Sequence, residues 1–245
     1  MADFQQSHWA IVIPTLSRSQ EEAVLLGSSV EMLARHGSPI FAGDGGSHRE
    51  LIRKLQSLVA GLHRFDRDKK PTLVRQIKEA MALAMKANPA AILYTEPDKK
   101  EFFEAGLAEF VNFARTCPDA GIVMASRDES SFATFPSAQR LPESLANQLL
   151  AETFGINADF LYGPLVLNIR LLSHLEDIPD DLGWGWRICL MAIAAKSGMR
   201  LIPYSGRFVC PIEQRAETGE KNRIYRLEQM AQNVRGLAIG MAYRL

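Results

Sequence analysis

Glu96-Pro97-Asp98 ends an apolar run, Ala90-Ala-Ile-Leu-Tyr-Thr95, and sets two carboxylates one residue apart. Hard oxygens at that spacing suit Mg²⁺ or Mn²⁺, which keep several waters and bridge substrate phosphates. The run reads as a buried strand, and Pro97 cannot extend a ladder, so the chain turns there. Open α/β sheets bind ligands outside the carboxyl ends of their strands. Asp98 and Glu96 are therefore a candidate site for a divalent metal held on a nucleotide diphosphate. Asp98-x-x-Glu101 also has the form of a capping box, so Asp98 is expected to cap the next helix as well, with one oxygen for each task.

Three further groups invite a chemical reading. Pro14-Thr15-Leu-Ser-Arg18 follows an apolar run, and backbone N–H groups with Arg18 at a helix start suit an anion or a base edge. A plain capped loop fits the same residues. Asp44, among Gly43, Gly45 and Gly46, could reach a nucleobase or a ribose hydroxyl, or could only close an Asx turn. Lys69, Lys70 and Arg75 precede or open a helix and could pair with phosphate, or stand as solvated surface charge.

These groups need elements to hold them. Trp9-Ala-Ile-Val-Ile-Pro14 reads as a first strand. Ser19-x-x-Glu22 caps a helix whose face is Ala23, Leu26, Val30, Leu33 and Ala34, and Gly37 stops it. Pro39-Ile-Phe-Ala42 is a second strand. Ser47-x-x-Glu50 predicts a cap for a helix with Leu51, Ile52, Leu55 and Leu58 inward. A basic connection, 63–71, leads to Thr72 as N-cap of a third helix. After the Glu96-Pro97-Asp98 strand comes a helix with Phe102, Phe103, Phe110 and Val111, then a strand at Gly121-Ile-Val-Met-Ala125. Four rounds of strand and helix predict an α/β fold with a mostly parallel central sheet and helices on both faces.

The rhythm then changes. Residues 126–140 read as a polar, mobile loop, and Pro142 falls in the first turn of a helix carrying Leu145, Leu149 and Leu150. Asp159-Phe-Leu-Tyr-Gly163-Pro-Leu-Val-Leu-Asn168 is strand-like with a Gly-Pro break. Gly183-Trp184-Gly-Trp186 opens another helix, and Arg200-Leu-Ile-Pro-Tyr204 is a last strand. Ile224, Leu227, Ala231, Val234, Ala238 and Met241 space as the apolar face of a C-terminal amphipathic helix. That helix would pack on the domain, pair with a second subunit or lie on a membrane surface. The reading is one domain over 1–245, with a nucleotide-binding half at 9–125, an acceptor-side half at 126–206 and a C-terminal helical segment at 207–245.

The 245 residues are 47% hydrophobic and 23% charged, as in an ordinary globular chain. Lys+Arg and Asp+Glu balance at 28 each, which argues against a nucleic-acid partner. Cys117, Cys189 and Cys210 are widely spaced, with no zinc or disulfide pattern, so a reducing cytoplasm is expected. The first residues have no signal-peptide form, and no apolar run approaches the roughly 18 residues of a membrane span.

Taken together the motifs resemble a GT-A-fold glycosyltransferase of the family 2, dolichyl-phosphate-mannose-synthase-like kind, over residues 9–206. Ile11-Val-Ile-Pro-Thr15 is similar to that family's opening strand, and Phe41-Ala-Gly-Asp44-Gly-Gly-Ser47 to its base-contacting Asp-Gly-Ser motif. Lys70-Pro-Thr-Leu-Val-Arg75 resembles its lead into the third helix. Ile92-Leu-Tyr-Thr-Glu96-Pro-Asp98 resembles its metal-binding Asp-x-Asp strand. Asp159 with Gly163 resembles an acceptor-side pair, and Gly183-Trp184-Gly-Trp186 its terminal segment. The chain departs from the pattern at Glu96, which replaces an Asp, at Arg187, where members often carry an acid, and at the missing Gly beside Lys70.

The resemblance implies a hexosyltransferase-like enzyme using a nucleotide-diphosphate sugar and Mg²⁺ or Mn²⁺, with an acceptor it does not identify. Pro14, Thr15, Arg18, Asp44, Lys70, Arg75 and Glu96 would bind the nucleotide, and Asp98 with Glu96 the metal. Asp159, Asp180 or Asp181 would serve as base, and Gly163, Trp184 and Trp186 would meet the acceptor. The alternatives are a nucleotidyltransferase on a related sheet and a nucleotide-sugar-binding protein without catalysis. Self-association and peripheral membrane contact are both compatible with the C-terminal helix.

Overall fold

The structure is a computed structural model that describes residues 8–69, 71–212, 215 and 219–245. Lys70 and the first seven residues, on which the signal-peptide reading partly rests, lie outside the described residues.

Trp9-Ala-Ile-Val-Ile alternates sides as a buried strand must. Ala10 and Val12 enter one apolar cluster, while Trp9, Ile11 and Ile13 enter another across the sheet. The strands are β1 (Trp9–Thr15), β2 (Ile40–Asp44), β3 (Gly61–Arg64), β4 (Ala91–Tyr94), β5 (Ala120–Arg127), β6 (Leu165–Asn168) and β7 (Arg200–Gly206). They form one sheet in the order β3-β2-β1-β4-β6-β5-β7. β6 runs antiparallel to β4 and β5, and the other pairs are parallel.

Helices cover both faces. α1 (Gln20–Ala34), α2 (Arg49–Leu58), α4 (Lys100–Ala105) and α5 (Leu107–Arg115) pack on one side. α3 (Leu73–Met85), α7 (Ser137–Phe154), α8 (Trp186–Lys196) and α9 (Glu220–Ala242) pack on the other, with a short α6 (Glu129–Phe132) before α7. Every residue of α8 from Trp186 to Ala194 is buried, because α8 lies between the sheet and α9. The mostly parallel α/β sheet read from the strand–helix rhythm is thus present.

Several local expectations are corrected. β3 is an edge strand of mixed polarity, so its Gly-Leu-His-Arg sequence carries no apolar signal. Residues 126–140 are not one loop. Asp128 Oδ1 accepts from the Ser131 amide at 2.6 Å and starts α6, and α7 then begins at Ser137, placing Pro142 inside the helix. Residues 159–164 approach β6 without strand pairing. His48 rather than Ser47 caps α2, since Ser47 Oγ is taken by the Ser17 amide.

The C-terminal helix is turned over relative to its apolar spacing. Ile224 (49% exposed), Leu227 (60%) and Met241 (47%) face outward. Asn233, Gly236, Leu237 and Gly240 are the buried positions. Small residues win the inner face because the approach is close: a Cβ on Gly236 would lie 2.1 Å from the Gly185 carbonyl oxygen. α9 is therefore fixed against α8 and the turn Asp180–Gly185.

Candidate active site

β4 ends at Tyr94 and delivers Thr95 and Glu96 to the carboxyl edge of the sheet while they are still buried. Pro97 then turns the chain, and Asp98 emerges exposed. Two acids one residue apart thus meet different surroundings. Glu96 Oε1 accepts from the Tyr94 hydroxyl at 3.3 Å and from Arg187 Nη1, at the start of α8, at 3.2 Å. Burial first, and then the Glu96 charge, push the Tyr94 pKa far up, so its hydroxyl stays protonated and donates.

Glu96 Oε2 has no hydrogen-bond partner and no contact with solvent. It lies against Gly163, where a Cβ would fall only 2.2 Å away, and where φ is +131°. Gly163 thus makes room for the carboxylate. Asp98 makes no hydrogen bond or ion pair among the described residues. It does not cap α4, as the capping-box spacing predicted: Lys99 is the N-cap residue and makes no side-chain cap bond. Both Asp98 oxygens are left for a ligand.

A cavity of about 200 Å³ opens over these acids. Lys99, Arg127, Tyr162 and Arg187 form part of its wall, and Tyr225, Gln229 and Asn233 from α9 close the far side. Partial burial raises the Tyr225 pKa, with Asp98 raising it further and Arg18 lowering it, so α9 carries Tyr225 into the field of both charges.

Three carboxylates expected near the chemistry are engaged elsewhere. Asp159 is buried and receives Arg127 on both oxygens, together with the Asn147 side chain at 3.0 Å and the Leu161 amide at 3.2 Å. Burial alone would raise its pKa, but the Arg127 charge and these bonds hold it below the ordinary Asp range. Asp180 pairs with Lys78 at 2.8 Å and lies 3.9 Å from Arg75. Asp181 pairs with Arg235 at 3.0 Å. None of the three lines the cavity. Glu143 does, but it accepts from Arg127 at 2.7 Å and from Gln139 at 2.9 Å.

The residues expected to bind a nucleotide follow along the same edge. Pro14 and Thr15 end β1, opposite Gly43 and Asp44 in β2. Asp44 has no exposed surface: it accepts from Thr15 Oγ1 at 2.9 Å and from the Gly46 and Ser47 amides at 3.0 Å. In this arrangement it shapes the loop and presents nothing outward. Arg18 is exposed and pairs with Glu22 at 3.5 Å. Arg75 is exposed, with its guanidinium 5.9 Å from the Phe65 ring centroid.

Of the aromatic pair, Trp184 lines the cavity with its ring 5.6 Å from the Arg187 guanidinium. Trp186 is fully buried and packs edge-on against Tyr94 at 4.8 Å, so it is core rather than an acceptor surface. Sequence reasoning missed Arg127, whose side chain is sealed between Asp159, Glu143 and the Phe132 and Phe135 rings. Its signal was a cation at the carboxyl end of the strand beginning at Gly121. It also missed Glu143 and Tyr225, whose helices give no spacing cue to a site on another element.

The donor set suits a hard divalent ion. It consists of the Asp98 oxygens, which face outward, while Glu96 Oε2 is sealed against Gly163. No group of three or more His, Cys, Asp or Glu residues converges among the described residues, so phosphate and water would have to complete the coordination.

No family model and no curated protein sequence matches the chain. Solved structures do. Glucosyl-3-phosphoglycerate synthase from Mycobacterium tuberculosis, crystallised with Mn²⁺, uridine diphosphate and glucosyl-3-phosphoglycerate, superposes with a TM-score of 0.59 at 12% identity, covering 96% of this chain and 81% of that one. The same enzyme with Mg²⁺ and uridine diphosphate gives 0.58 at 13% identity, with 98% and 81% covered. Mannosyl-3-phosphoglycerate synthase from Rubrobacter xylanophilus gives 0.61 at 14% identity, with 94% and 72% covered. With its strand order, its helices on both faces and these neighbours, the chain has the GT-A fold of nucleotide-sugar glycosyltransferases.

Proposed function

We propose that this protein transfers a sugar from a nucleotide-diphosphate sugar to a small acceptor, with Mg²⁺ or Mn²⁺ bound at Asp98. The observation that carries the proposal is Asp98 itself: an exposed carboxylate with no partner among the described residues, at the carboxyl end of a central strand, facing a polar cavity. The crystallised neighbours that hold Mn²⁺ or Mg²⁺ with uridine diphosphate support it. Within the fold, the motifs at Asp44, Glu96-Pro97-Asp98 and Gly183-Trp184 favour the dolichyl-phosphate-mannose-synthase-like group.

The ion, when bound, supplies positive charge against the departing nucleoside diphosphate. Asp98 anchors it. The Thr15–Asp44 contact fixes the loop on which the nucleoside would lie, and Arg18 at that loop is proposed to meet it. Arg75 and Lys70 are proposed on the phosphate side. Gly163 holds Glu96 in place, and Trp184 and Tyr225 exclude water from one side of the cavity. Among the cavity's described carboxylates none but Asp98 is free, so a base role for Asp159, Asp180 or Asp181 would require their present ion pairs to open. Lys99 and Arg226 also line the cavity. Since neighbours were crystallised with phosphoglyceric acid, a phosphorylated hydroxy acid is the first acceptor to test.

A cytoplasmic location belongs to the same proposal. Its support is that the three cysteines form no disulfide among the described residues, and no described helix is long and apolar enough to cross a membrane. The Arg187–Glu96 pair favours a second reading, a nucleotide-sugar-binding protein without turnover. A panel of nucleotide sugars tests both. Transfer predicts a Mn²⁺-dependent thermal shift and donor hydrolysis for at least one sugar nucleotide, binding alone predicts the shift without hydrolysis, and neither effect with any donor defeats the proposal.

A further inference from the structure

Arg187 stands at the positive end of the α8 dipole, where a cation is disfavoured and an acid would be at home. It is also buried, with its side chain 6% exposed. A cation kept at such a place needs a partner, and the partner is Glu96, whose side chain is 8% exposed. The pair divides the two acids. Glu96 Oε1 is occupied by Arg187 and Tyr94, and Oε2 lies against Gly163 without solvent contact. Asp98 is left as the one carboxylate of the pair that faces outward.

We infer that Arg187 is a positioning residue that withholds Glu96 from the metal, so that metal and nucleotide bind dependently on one another. The inference rests on the proposed nucleotide-sugar site. A single exposed carboxylate holds Mg²⁺ or Mn²⁺ weakly, because these ions surrender water reluctantly and need more than one anionic oxygen. The missing oxygens come from the diphosphate. Linkage is reciprocal, so the diphosphate in turn binds weakly without the ion. The Trp184 ring over Arg187 and the close Gly185–Gly236 contact hold the guanidinium where Glu96 meets it.

Free Mn²⁺ is measured by electron paramagnetic resonance in titrations of the full-length protein, with and without uridine diphosphate and, in parallel, guanosine diphosphate. One of the two nucleotides is expected to tighten Mn²⁺ binding by at least about tenfold, within the usual range of coupling between sites. Glu96→Gln keeps an acceptor for Arg187, and is expected to change Mn²⁺ affinity in the ternary complex by less than about threefold, whereas Asp98→Asn weakens it by at least about tenfold. Arg187→Met releases Glu96 and tightens Mn²⁺ binding to the nucleotide-free protein, while Arg187→Lys leaves it as in the natural protein. Equal Mn²⁺ affinity with and without a diphosphate that binds overturns the inference alone, as does Glu96→Gln losing as much as Asp98→Asn. If Arg187→Met does not fold, the Glu96→Gln comparison still decides. Absence of diphosphate binding under every condition overturns the parent proposal and the inference with it.

Discussion

Arg187 and Glu96, 91 positions apart, meet through one hydrogen bond of 3.2 Å, while Arg187 Nε and Glu96 Oε2 have no partner. A buried pair of this kind contributes little net stability, but removing one member leaves an uncompensated charge. Arg187→Met is therefore expected to destabilise the protein by about 3–5 kcal/mol. Mn²⁺ should raise the melting temperature of the variant more than that of the natural protein, because it binds the released carboxylate in the folded state only. Thermal melts with and without Mn²⁺ check this, and an equal shift in both proteins would contradict it.

A second buried pair sets an acid limit. The folded Asp159 pKa lies below its unfolded value, so its contribution to stability is present above that unfolded value, about 4, and is lost as pH falls through the lower folded value. Asp159→Asn should cost about 3 kcal/mol near neutral pH, since Arg127 keeps only Glu143. Denaturant unfolding between neutral pH and acid should then show a shallower loss of stability for the variant than for the natural protein.

Gly163→Ala would bring a methyl 2.2 Å from Glu96 Oε2 at a backbone φ of +131°. Strain and overpacking together predict a loss of about 2–4 kcal/mol. If Glu96 moves to relieve the clash, Mn²⁺ binding should change as well, which separates this substitution from an ordinary destabilising one.

The cysteines should react in a fixed order. Cys117 is partly exposed, Cys189 and Cys210 are buried, and burial pushes the Cys189 thiol up to about 11. At pH 8 only about one Cys189 thiol in a thousand is ionised, even before access is considered. Thiol titration of the folded protein should find Cys117 alone reacting quickly, with the other two following on unfolding.

The apolar runs made β1, β4 and β5 legible, because a strand buried on both faces has little freedom in composition. Asp98 was legible for the same reason, as an acid where such a run must stop. Its capping role was not realised, because α4 starts one residue later than the Asp-x-x-Glu spacing implies. The face by which α9 packs was not legible in its apolar spacing. Its apolar residues space regularly, but backbone proximity at Gly236 and Gly240 decides the contact, and hydrophobic periodicity carries no information on that. Asp159, Asp180 and Asp181 have the right chemistry for a base, yet each meets a cation brought from another element by the fold, and no local spacing announces such a meeting.

The most direct test of the account is calorimetric titration of uridine and guanosine diphosphate into the protein with and without Mn²⁺, repeated with Asp98→Asn. The account predicts saturable binding of at least one nucleotide that depends on Mn²⁺ and weakens by at least about tenfold, or about 1.4 kcal/mol, in the variant. Nucleotide binding that is indifferent to both Mn²⁺ and Asp98, or no binding at all, would contradict it.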